Sequence, residues 1–513
     1  MKTINLKNEI SILVNKLQNK DYESVINKAT ILLKKFPQND FLWNLKGLAL
    51  QSSKKVDESI DCFQQALKVD SKNFAAINNL GNSYKRNNQL VMAEKCYDKC
   101  LKENSENLNS IINLANLKVI LNKYEEAIKL YLKAISINND VPIFFINLIM
   151  AYQSTNQFDK SLELLKECLE KFPNDTKFDK LMSFQTSYNN NHSHFLNMLK
   201  KIKQENLKDE NKIDLHFALG KAYDDMKIFD QAYENFEKGN HLKRKKLEFN
   251  INDKKKLFED IKSYFFEYNF SNKIKKNYSK NFIFIFGLPR SGTTLTEKII
   301  SSHKLVSAAG EINYINNFFG KYFVDKNRLN KETISNYLQK DLCQNFINFL
   351  EPFDFQSKII TDKSLNIYWY IGFIKIFFPQ AKFIHCKRDP KDNCLSIFKN
   401  LFEDGEGWKF NEEELIEYHK LYQNIMNYWN DKFKDEILNI NYEDLINNTK
   451  SKVEEILNFC DLEWDENCMQ HHKNKSPIKT LSLNQANKPI YKTSLNSADN
   501  YRNFLRKIYK NFG

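Results

Sequence analysis

The amino-acid sequence predicts an α + α/β protein, in which an all-α solenoid of helical repeats precedes a P-loop-type, three-layer α/β domain with a mainly parallel sheet. A 34-residue period in the first half predicts the solenoid, and short apolar runs that alternate with helical segments in the second half predict the α/β domain. At 513 residues the chain has room for both. We expect the solenoid over residues 1–246, a charged, aromatic connector over 247–277 and the α/β domain over 278–513.

The repeat is visible in the phrase KFP, which ends at Pro37 and again, four periods of 34 residues later, at Pro173. Between these prolines, three positions of the repeat keep one residue size. The first position is small, at Ser59, Ala93, Ala127 and Ser161, and the second is bulky, at Phe63, Tyr97, Tyr131 and Leu165. The third is compact, at Ala66, Cys100, Ala134 and Cys168. Gly47 and Gly81 occupy equivalent places in the first helix of their units. The pattern resembles the tetratricopeptide repeat, and about six repeats fit over residues 6–246.

The resemblance implies a concave surface that binds a peptide or a partner protein. An equally good interpretation is that the repeats only hold a catalytic domain or join two copies of it into a homodimer. The sequence leaves the partner and the oligomeric state open.

The second half is predicted to form a parallel sheet with helices on both faces. The predicted strands are FIFIF at 282–286, KIIT at 358–361, AKFIHC at 381–386 and ILNINY at 437–442, with helices predicted over 293–302, 366–377, 390–402, 412–433 and 450–460. Ligands of such sheets bind at the carboxyl ends of the strands. The loops that follow Phe286, Thr361 and Cys386 are therefore the candidates for a functional site.

The loop after the first predicted strand has the spacing of a phosphate-binding loop, with Gly287 and Gly292 as its glycines. Its glycines allow backbone N–H groups to face an anion, and the helix that follows adds its positive end. The polar side chains of the loop and of the helix start are Arg290, Ser291, Thr293 and Thr294. Thr293 stands where NTP-hydrolysing loops have a lysine, and no clear strand-end aspartate for magnesium follows. The loop therefore favours a ligand with fewer phosphates and no metal.

A second anion site is predicted in the stretch RDPKDNCLSIF, which follows the AKFIHC strand. Arg388 ends that strand and Ser396 lies eight residues later, inside the predicted helix. A surface ion pair of Arg388 with Asp389 or Asp392 is the alternative. Two anion sites at two strand ends indicate one nucleotide that has phosphates on both sides of its ribose.

Together, GLPRSGTTLTEKII and RDPKDNCLSIF resemble the 5′- and 3′-phosphate motifs of sulfotransferases that use 3′-phosphoadenosine-5′-phosphosulfate. More closely, residues 280–500 are similar to tyrosylprotein sulfotransferases and to bacterial proteins that fuse tetratricopeptide repeats to such a domain. The resemblance implies transfer of a sulfuryl group to a hydroxyl, release of adenosine 3′,5′-bisphosphate, and no metal.

The resemblance also implies a role for each matching position. Glu311, in AAGEINYI, is the implied general base, and Lys363, in TDKSLN, stabilises the transferring sulfonate together with Ser482. The implied nucleotide-binding residues are Arg290, Ser291, Gly292, Thr293 and Thr294 at the 5′-phosphosulfate, Arg388, Ser396 and Lys488 at the 3′-phosphate, and Tyr442 at the nucleotide.

Several alternatives stay open. His303 is a competing base, although it is also explained as a helix end. The acceptor is a protein tyrosine, a glycan, a lipid or a small alcohol, since no arginine cluster for acidic peptides follows Glu311. A P-loop kinase or NTPase is the second enzymatic hypothesis, and an inactive repeat scaffold is the hypothesis of another class.

Composition limits the protein classes. The net charge of +13 comes mostly from dispersed lysines, which favours anionic ligands without indicating a nucleic-acid partner. The N-terminus has no signal-peptide core, and no stretch approaches the roughly 20 apolar residues of a membrane span. Nine scattered cysteines without a C-x-x-C pair indicate reduced thiols, so we expect a cytoplasmic protein.

Overall fold

The first half of the chain is helical in a computed structural model of the protein. The structure describes residues 6–266, 268, 270, 278–338, 340–474, 476–477 and 486–513. The described part divides into two compact units, one within Met1–Ala151 and Phe349–Asp354, the other within Tyr152–Asn348 and Phe355–Gly513. The helices of the first half are Leu6–Gln18, Tyr22–Lys35, Asp40–Ser52, Val56–Val69, Phe74–Arg86, Leu90–Glu103, Leu108–Ile120, Tyr124–Ile137, Pro142–Ser154, Phe158–Lys171, Lys177–Ser183, Ser193–Lys201, Asp209–Asp225, Phe229–Arg244 and Ile251–Phe266. This series confirms the predicted helical solenoid.

The repeat positions that the sequence singles out are the buried contacts of the helix pairs. Every small, bulky or compact residue of the 34-residue pattern is buried. A Cβ atom on Gly47 would lie 2.6 Å from the ring of Phe63, and one on Gly81 would lie 2.6 Å from the ring of Tyr97. Such distances leave no room for a side chain, so glycine sets how closely the two helices of each pair approach.

Two further positions of the repeat are asparagine-rich because of their backbone roles. The turn inside each helix pair has a residue with positive φ, and these residues recur every 34 positions: Lys20, Lys54, Asn88, Asn122 and Asn156. The side chains of Asn39, Asn73 and Asn107 accept a hydrogen bond from a backbone N–H in the first turn of the next helix. Asparagine suits both positions, since it tolerates the left-handed conformation and caps helix N-termini.

The irregular segment between residues 176 and 212 has a buried polar cluster in place of the repeat contacts. The carboxylate of Asp179, which is fully buried, accepts hydrogen bonds from His194 Nε2 at 3.0 Å and from Lys201 Nζ at 2.8 Å. His194 Nδ1 pairs with the hydroxyl of Tyr188 at 2.8 Å. These contacts join two short helices, which explains why the 34-residue pattern is absent here.

The second half contains a five-stranded sheet whose neighbouring strands all run parallel. The strands are β1 (Asn281–Phe286), β2 (Val306–Ala308), β5 (Ile359–Asp362), β6 (Lys382–Lys387) and β7 (Ile437–Asn441), and a separate hairpin is formed by β3 (Val324–Asp325) and β4 (Arg328–Leu329). The strand order is β2-β5-β1-β6-β7. The four predicted strands are confirmed to within one residue at each end, and the mainly parallel sheet is confirmed with them.

The helices of the second half cover both faces of the sheet. They are Thr293–Ile300, Tyr314–Tyr322, Lys331–Tyr337, Leu342–Leu350, Ile371–Phe377, Pro390–Phe398, Glu412–Lys432, Tyr442–Asn447, Thr449–Phe459 and Arg506–Phe512, with 3₁₀ turns at Glu351–Phe353, Leu365–Trp369, Gly407–Phe410, Glu466–Lys473 and Ser497–Tyr501. Ile283 and Ile285 of β1 pack on one face against Ile299 and Ile300. On the other face the rings of Phe282 and Phe284 lie 5.5 and 5.7 Å from that of Phe378. The three-layer prediction is therefore correct.

Two predicted helices differ from the structure. The helix predicted over 366–377 is a 3₁₀ turn and an α-helix separated at Tyr370, whose φ of −122° and ψ of 10° are not helical. The helix predicted over 390–402 ends at Phe398.

Part of the connector forms the helix Ile251–Phe266, in which Phe265 packs against Phe373 and Trp429. Within the described residues, no helix is both long enough and apolar enough to cross a membrane.

Candidate functional site

The loop between β1 and the helix Thr293–Ile300 packs so tightly that its glycines are required. A Cβ atom on Gly287 would lie 2.4 Å from the carbonyl oxygen of Cys386, at the end of the neighbouring strand β6. Gly292 has a φ of +98°, and a Cβ atom there would lie 2.7 Å from the ring of Tyr442. The loop is therefore held against β6 on one side and against the residue that follows β7 on the other.

Two arginines from different strand ends meet beside this loop. Arg290 donates from Nε to Ser396 Oγ at 3.1 Å. Arg388 donates to the carbonyl oxygen of Arg290 at 3.2 Å and to that of Ser494 at 2.8 Å, and its guanidinium lies 4.9 Å from the ring centre of Tyr442. Burial and the charge of Arg388 lower the pKa of Arg290 to about 10, so Arg290 is a cation at neutral pH. Two adjacent, partly buried guanidinium groups favour an anionic ligand between them.

The arginines line a pocket that contains six of the nine residues predicted to bind the nucleotide: Arg290, Gly292, Thr294, Arg388, Tyr442 and Lys488. The rest of its wall is Leu295, Ile446, Ala486, Pro489, Ile490 and Tyr491. Burial raises the pKa of Tyr491 to about 12, so its hydroxyl stays neutral. The sequence signal for Tyr491 is its place in the phrase KPIY, three residues after Lys488.

The remaining three predicted residues lie behind this wall. Ser396 accepts the hydrogen bond from Arg290, and therefore orients that arginine. Ser291 donates its backbone N–H to Leu288 at 3.2 Å, and its side chain lines a neighbouring cavity. Thr293 is buried at the first position of the helix.

The alternative interpretation of Arg388, an ion pair with Asp389 or Asp392, does not describe the structure, because both carboxylates have other partners. Asp389 caps the helix Pro390–Phe398 by accepting from Lys391 N and Asp392 N. Asp392 accepts from Asn496 N and Ala498 N, both at 2.8 Å, and from Ser497 Oγ at 3.1 Å. Asp392 thereby fixes the C-terminal segment next to the pocket, where Ser494 Oγ lies 2.9 Å from Tyr442 Oη.

The structure brings together Glu311 and Lys363, the predicted base and the predicted sulfonate-binding lysine. Lys363 Nζ lies 2.6 Å from Glu311 Oε1, with 2% of the lysine side chain and 26% of the glutamate side chain exposed. They follow β2 and β5, which are neighbouring strands. A buried cation paired with a half-exposed carboxylate places a proton acceptor at the surface of the site.

Glu297 is a further residue of this region that its sequence context, a charged helix position, does not reveal. It is buried, and its Oε1 accepts from Thr361 Oγ1 at 2.9 Å and from Gly310 N at 3.0 Å. The carbonyl oxygen of Gly310 in turn accepts from Lys363 N at 2.9 Å. Burial raises the pKa of Glu297. The helix after the phosphate loop is thus tied to the backbone that presents Glu311 and Lys363.

One feature differs from the sequence-based expectation that no clear strand-end aspartate is present: Asp362 is the last residue of β5 and is fully buried. Its Oδ1 accepts from Ser364 N at 3.0 Å and from Ser364 Oγ at 2.6 Å, whereas its Oδ2 has no partner among the described residues. Burial raises the pKa of Asp362 to about 7. The same described part of the chain contains no group of three or more metal-ligating side chains.

We expect Asp362→Asn to stabilise the protein by about 1–2 kcal/mol at about pH 8, because the charge of a buried carboxylate opposes folding. The pKa of Asp362 is raised in the folded protein, to about 7 from 3.8, so this penalty is complete above pH 7 and absent below 3.8. Thermal unfolding of both proteins at several pH values should show a gain that disappears on acidification. Asp260, whose pKa is lowered by Arg328, provides the control, since Asp260→Asn should destabilise at about pH 8. A gain that does not depend on pH would contradict the prediction.

His303 and Ser482 complete the predicted set. Both ring nitrogens of His303 have structural partners: Nε2 lies 3.2 Å from the carbonyl oxygen of Glu463, and Nδ1 accepts from Leu305 N at 3.2 Å. This geometry agrees with a helix end and leaves no nitrogen for an acceptor. Ser482 lies outside the described residues.

Comparisons with known proteins agree with this architecture. Residues 282–466 match the model of the Sulfotransferase family, and residues 12–136 match the model of the Psidin N-terminal TPR repeats region.

Relatives were found in several organisms. An uncharacterized protein of Aquifex aeolicus (strain VF5) is 28% identical over 305 residues, which are 57% of this chain and 40% of the relative. Protein-tyrosine sulfotransferase A of Caenorhabditis elegans is 22% identical over 206 residues, 38% of this chain and 54% of the relative. A putative protein-tyrosine sulfotransferase of Caenorhabditis briggsae is 24% identical over 198 residues, 37% of this chain and 69% of the relative. The matched region therefore spans only about half the length of the first two relatives.

Solved structures include a tetratricopeptide repeat protein from Parabacteroides merdae, with a TM-score of 0.36, 17% identity and coverage of 46% of this chain and 92% of that one. The MamA protein has a TM-score of 0.30 and 19% identity, and covers 33% of this chain and 93% of that one. Such low TM-scores add nothing to the assignment, which rests on the family models and the repeat contacts. The chain therefore joins an N-terminal tetratricopeptide-repeat region to a sulfotransferase-family domain at residues 282–466.

Proposed function

We propose that the protein transfers the sulfuryl group of 3′-phosphoadenosine-5′-phosphosulfate to a hydroxyl acceptor. The observation that supports this most directly is the meeting of Arg290 and Arg388 in one pocket, at the ends of the neighbouring strands β1 and β6. The distant similarity to protein-tyrosine sulfotransferases supports sulfuryl transfer in general.

The residues of the pocket fit such a nucleotide. Two cations suit phosphates on both sides of a ribose, and the rings of Tyr442 and Tyr491 provide flat apolar surfaces beside them. We assign Arg290, Gly292 and Thr294 to the 5′-phosphosulfate, and Arg388 and Lys488 to the 3′-phosphate, with Ser291, Thr293 and Ser396 shaping the loop and orienting Arg290. When bound, the nucleotide supplies the sulfuryl group, and adenosine 3′,5′-bisphosphate is the product.

The chemistry that the chain itself provides is proton removal and charge stabilisation. Glu311 accepts the proton of the acceptor hydroxyl, and Lys363 Nζ, 2.6 Å from Glu311 Oε1, holds that side chain in place. Lys363 and Ser482 are the proposed donors to the oxygens on which negative charge increases. The tie from Glu297 to Gly310 keeps Glu311 beside Lys363.

The acceptor, the partners and the compartment belong to the same proposal. A protein tyrosine or a glycan is the proposed acceptor class, and the repeats bind a partner or the substrate. All nine cysteines are free thiols, which supports a reducing, cytoplasm-like compartment.

Calorimetric titration tests the nucleotide. Adenosine 3′,5′-bisphosphate without metal is compared with ADP and with ATP plus magnesium. We expect tight, metal-independent binding of the bisphosphate and weak binding of the other two. Because Asp362 ends β5, a kinase or NTPase is the relevant competitor, and a preference for magnesium–ATP would replace our proposal by that one. Binding of none of the three would favour an inactive scaffold.

A further inference from the structure

A second cavity, of about 700 Å³, lies behind the phosphate loop and has no part in the proposed reaction. We call it the amide cavity, because six of its lining residues have amide side chains. Its walls come from the ends of β6 and β7 and from the helices Pro390–Phe398 and Glu412–Lys432. A volume of this order is within the range of small-molecule sites, roughly 300–1,000 Å³.

The residues that line the amide cavity have four buried polar atoms that lack a partner among the described residues: Ser291 Oγ, Arg388 Nε, Asn393 Oδ1 and His419 Nδ1. Ser291, Asn393 and His419 are only 3%, 1% and 4% exposed. Asn393 is oriented by its own amide, since Nδ2 donates to the carbonyl oxygen of Pro289 at 2.9 Å. Buried polar atoms in folded proteins are nearly always hydrogen-bonded, so four unpartnered ones around one cavity indicate a ligand that forms hydrogen bonds.

The histidines of the cavity are uncharged. Burial lowers the pKa of His419 to about 4 and that of His385 to about 3. His385 uses both nitrogens within the protein, one with Asn439 Oδ1 at 2.8 Å and the other with the hydroxyl of Tyr422. His419 Nδ1 is thus a neutral, buried polar atom without a hydrogen-bond partner among the described residues.

The rim is polar and its charges balance. Its amides are Gln423, Asn424, Asn427, Asn430 and Asn441. The charged lining residues are two cations, Lys387 and Arg388, and two anions, Asp389 and Glu443. Both anions already have partners, because Asp389 caps a helix and Glu443 Oε1 accepts from Asp389 N at 2.9 Å. The two cations and two anions of the lining therefore balance, which suits a ligand without net charge.

We propose that the amide cavity binds a neutral, polyhydroxylated molecule of sugar size. Amides and neutral histidine pair well with hydroxyl groups that both donate and accept, and such a ligand satisfies the buried polar atoms without placing a charge there. The apolar lining residues Leu288, Pro390 and Met426 give its C–H groups a surface to contact.

The amide cavity is separate from the catalytic pair. Glu311 and Lys363 follow β2 and β5, whereas the cavity is bordered by the ends of β6 and β7 at the other side of the sheet. Its occupant is therefore not the hydroxyl that reacts. Ser291 and Arg388 contact both the cavity and the phosphate loop or its pocket, so occupancy should change nucleotide affinity, and the nucleotide should change sugar affinity by the same factor.

The test uses the full chain with glucose, galactose, N-acetylglucosamine and trehalose as probes, followed by ligand-observed NMR and calorimetry. Glucuronate and glucosamine serve as charged analogues. We expect one or more neutral sugars to bind, and the exposed rim variant Asn424→Ala/Asn427→Ala to weaken that binding by about 5- to 100-fold. Asn447→Ala/Asn458→Ala changes two exposed helical asparagines outside the cavity and should leave binding unchanged.

The outcomes are separable from those of the proposed function, because binding of adenosine 3′,5′-bisphosphate is measured on the same variants. Absence of binding by every neutral sugar up to roughly 10 mM would overturn the proposal, as would preference for a charged analogue or an equal loss in the control variant. A normal nucleotide titration alongside any of these results would leave the sulfotransferase proposal standing.

Discussion

Glu311→Gln is expected to reduce the rate of sulfuryl transfer by about 10²- to 10⁴-fold, while adenosine 3′,5′-bisphosphate binds with nearly unchanged affinity. The glutamine amide keeps the size of the side chain and can still accept a hydrogen bond from Lys363 Nζ, which in the wild-type protein lies 2.6 Å from Glu311 Oε1. It cannot take a proton from the acceptor. Steady-state rates with saturating donor and calorimetry with the bisphosphate measure the two effects separately.

The matched control for Glu311→Gln is Glu414→Gln. Glu414 pairs with Arg244 at 2.6 Å and its side chain is 25% exposed, so the control changes a carboxylate of similar exposure, in an ion pair of equal length, away from the pocket. It should leave the transfer rate within about twofold of wild type. Equal rates for Glu311→Gln and wild type would remove Glu311 as the base, and an equal loss in the control would indicate damage to the fold.

Arg388→Ala is expected to weaken binding of adenosine 3′,5′-bisphosphate by about 10- to 150-fold and binding of adenosine 5′-monophosphate by less than about threefold. The proposed reason is that Arg388 binds the 3′-phosphate, which the monophosphate lacks. Calorimetry with both nucleotides gives the ratio. Arg388→Lys should give an intermediate loss, because a lysine keeps the charge but not the forked geometry.

Arg502→Ala is the control for this prediction. Arg502 also lies over a tyrosine ring, that of Tyr509, at 5.3 Å, but it does not line the pocket. Its loss should leave both affinities unchanged. If Arg388→Ala weakened both nucleotides equally, Arg388 would act only through its hydrogen bonds to the carbonyl oxygens of Arg290 and Ser494.

The fold could be predicted where the local pattern determines the packing. The buried strands are continuous apolar runs, and the 34-residue repeat keeps one residue size at each contact, as for Phe63 against Gly47. Strand β2 has only three residues, too few for a periodic pattern to appear. The helix Pro390–Phe398 ends four residues before the predicted end, and the ring of its last residue stacks on Tyr233, a distant contact that the local sequence does not show.

The site could be predicted only in part, since its contacts join distant positions. Arg290 and Ser396 are 106 residues apart, and nothing in either motif shows that they bond to each other. Glu297 has the sequence context of an exposed helical residue, yet it is buried and its Oε1 accepts hydrogen bonds from Thr361 Oγ1 and Gly310 N. Its burial depends on which face of the helix meets the sheet, which the residues around it do not determine.

The wall formed by Ile490 and Tyr491, with Asp392 fixing the segment that follows, has a consequence for synthesis of the protein. A ribosome produces these wall residues on the order of 200 residues after the phosphate loop, although the sheet strands between them are already complete. Arg290 and Arg388 are therefore present in the nascent chain before the residues that complete the wall of their pocket have been made. If the proposed nucleotide binds in this pocket, it can stabilise the α/β domain only after the last wall residues have emerged from the ribosome.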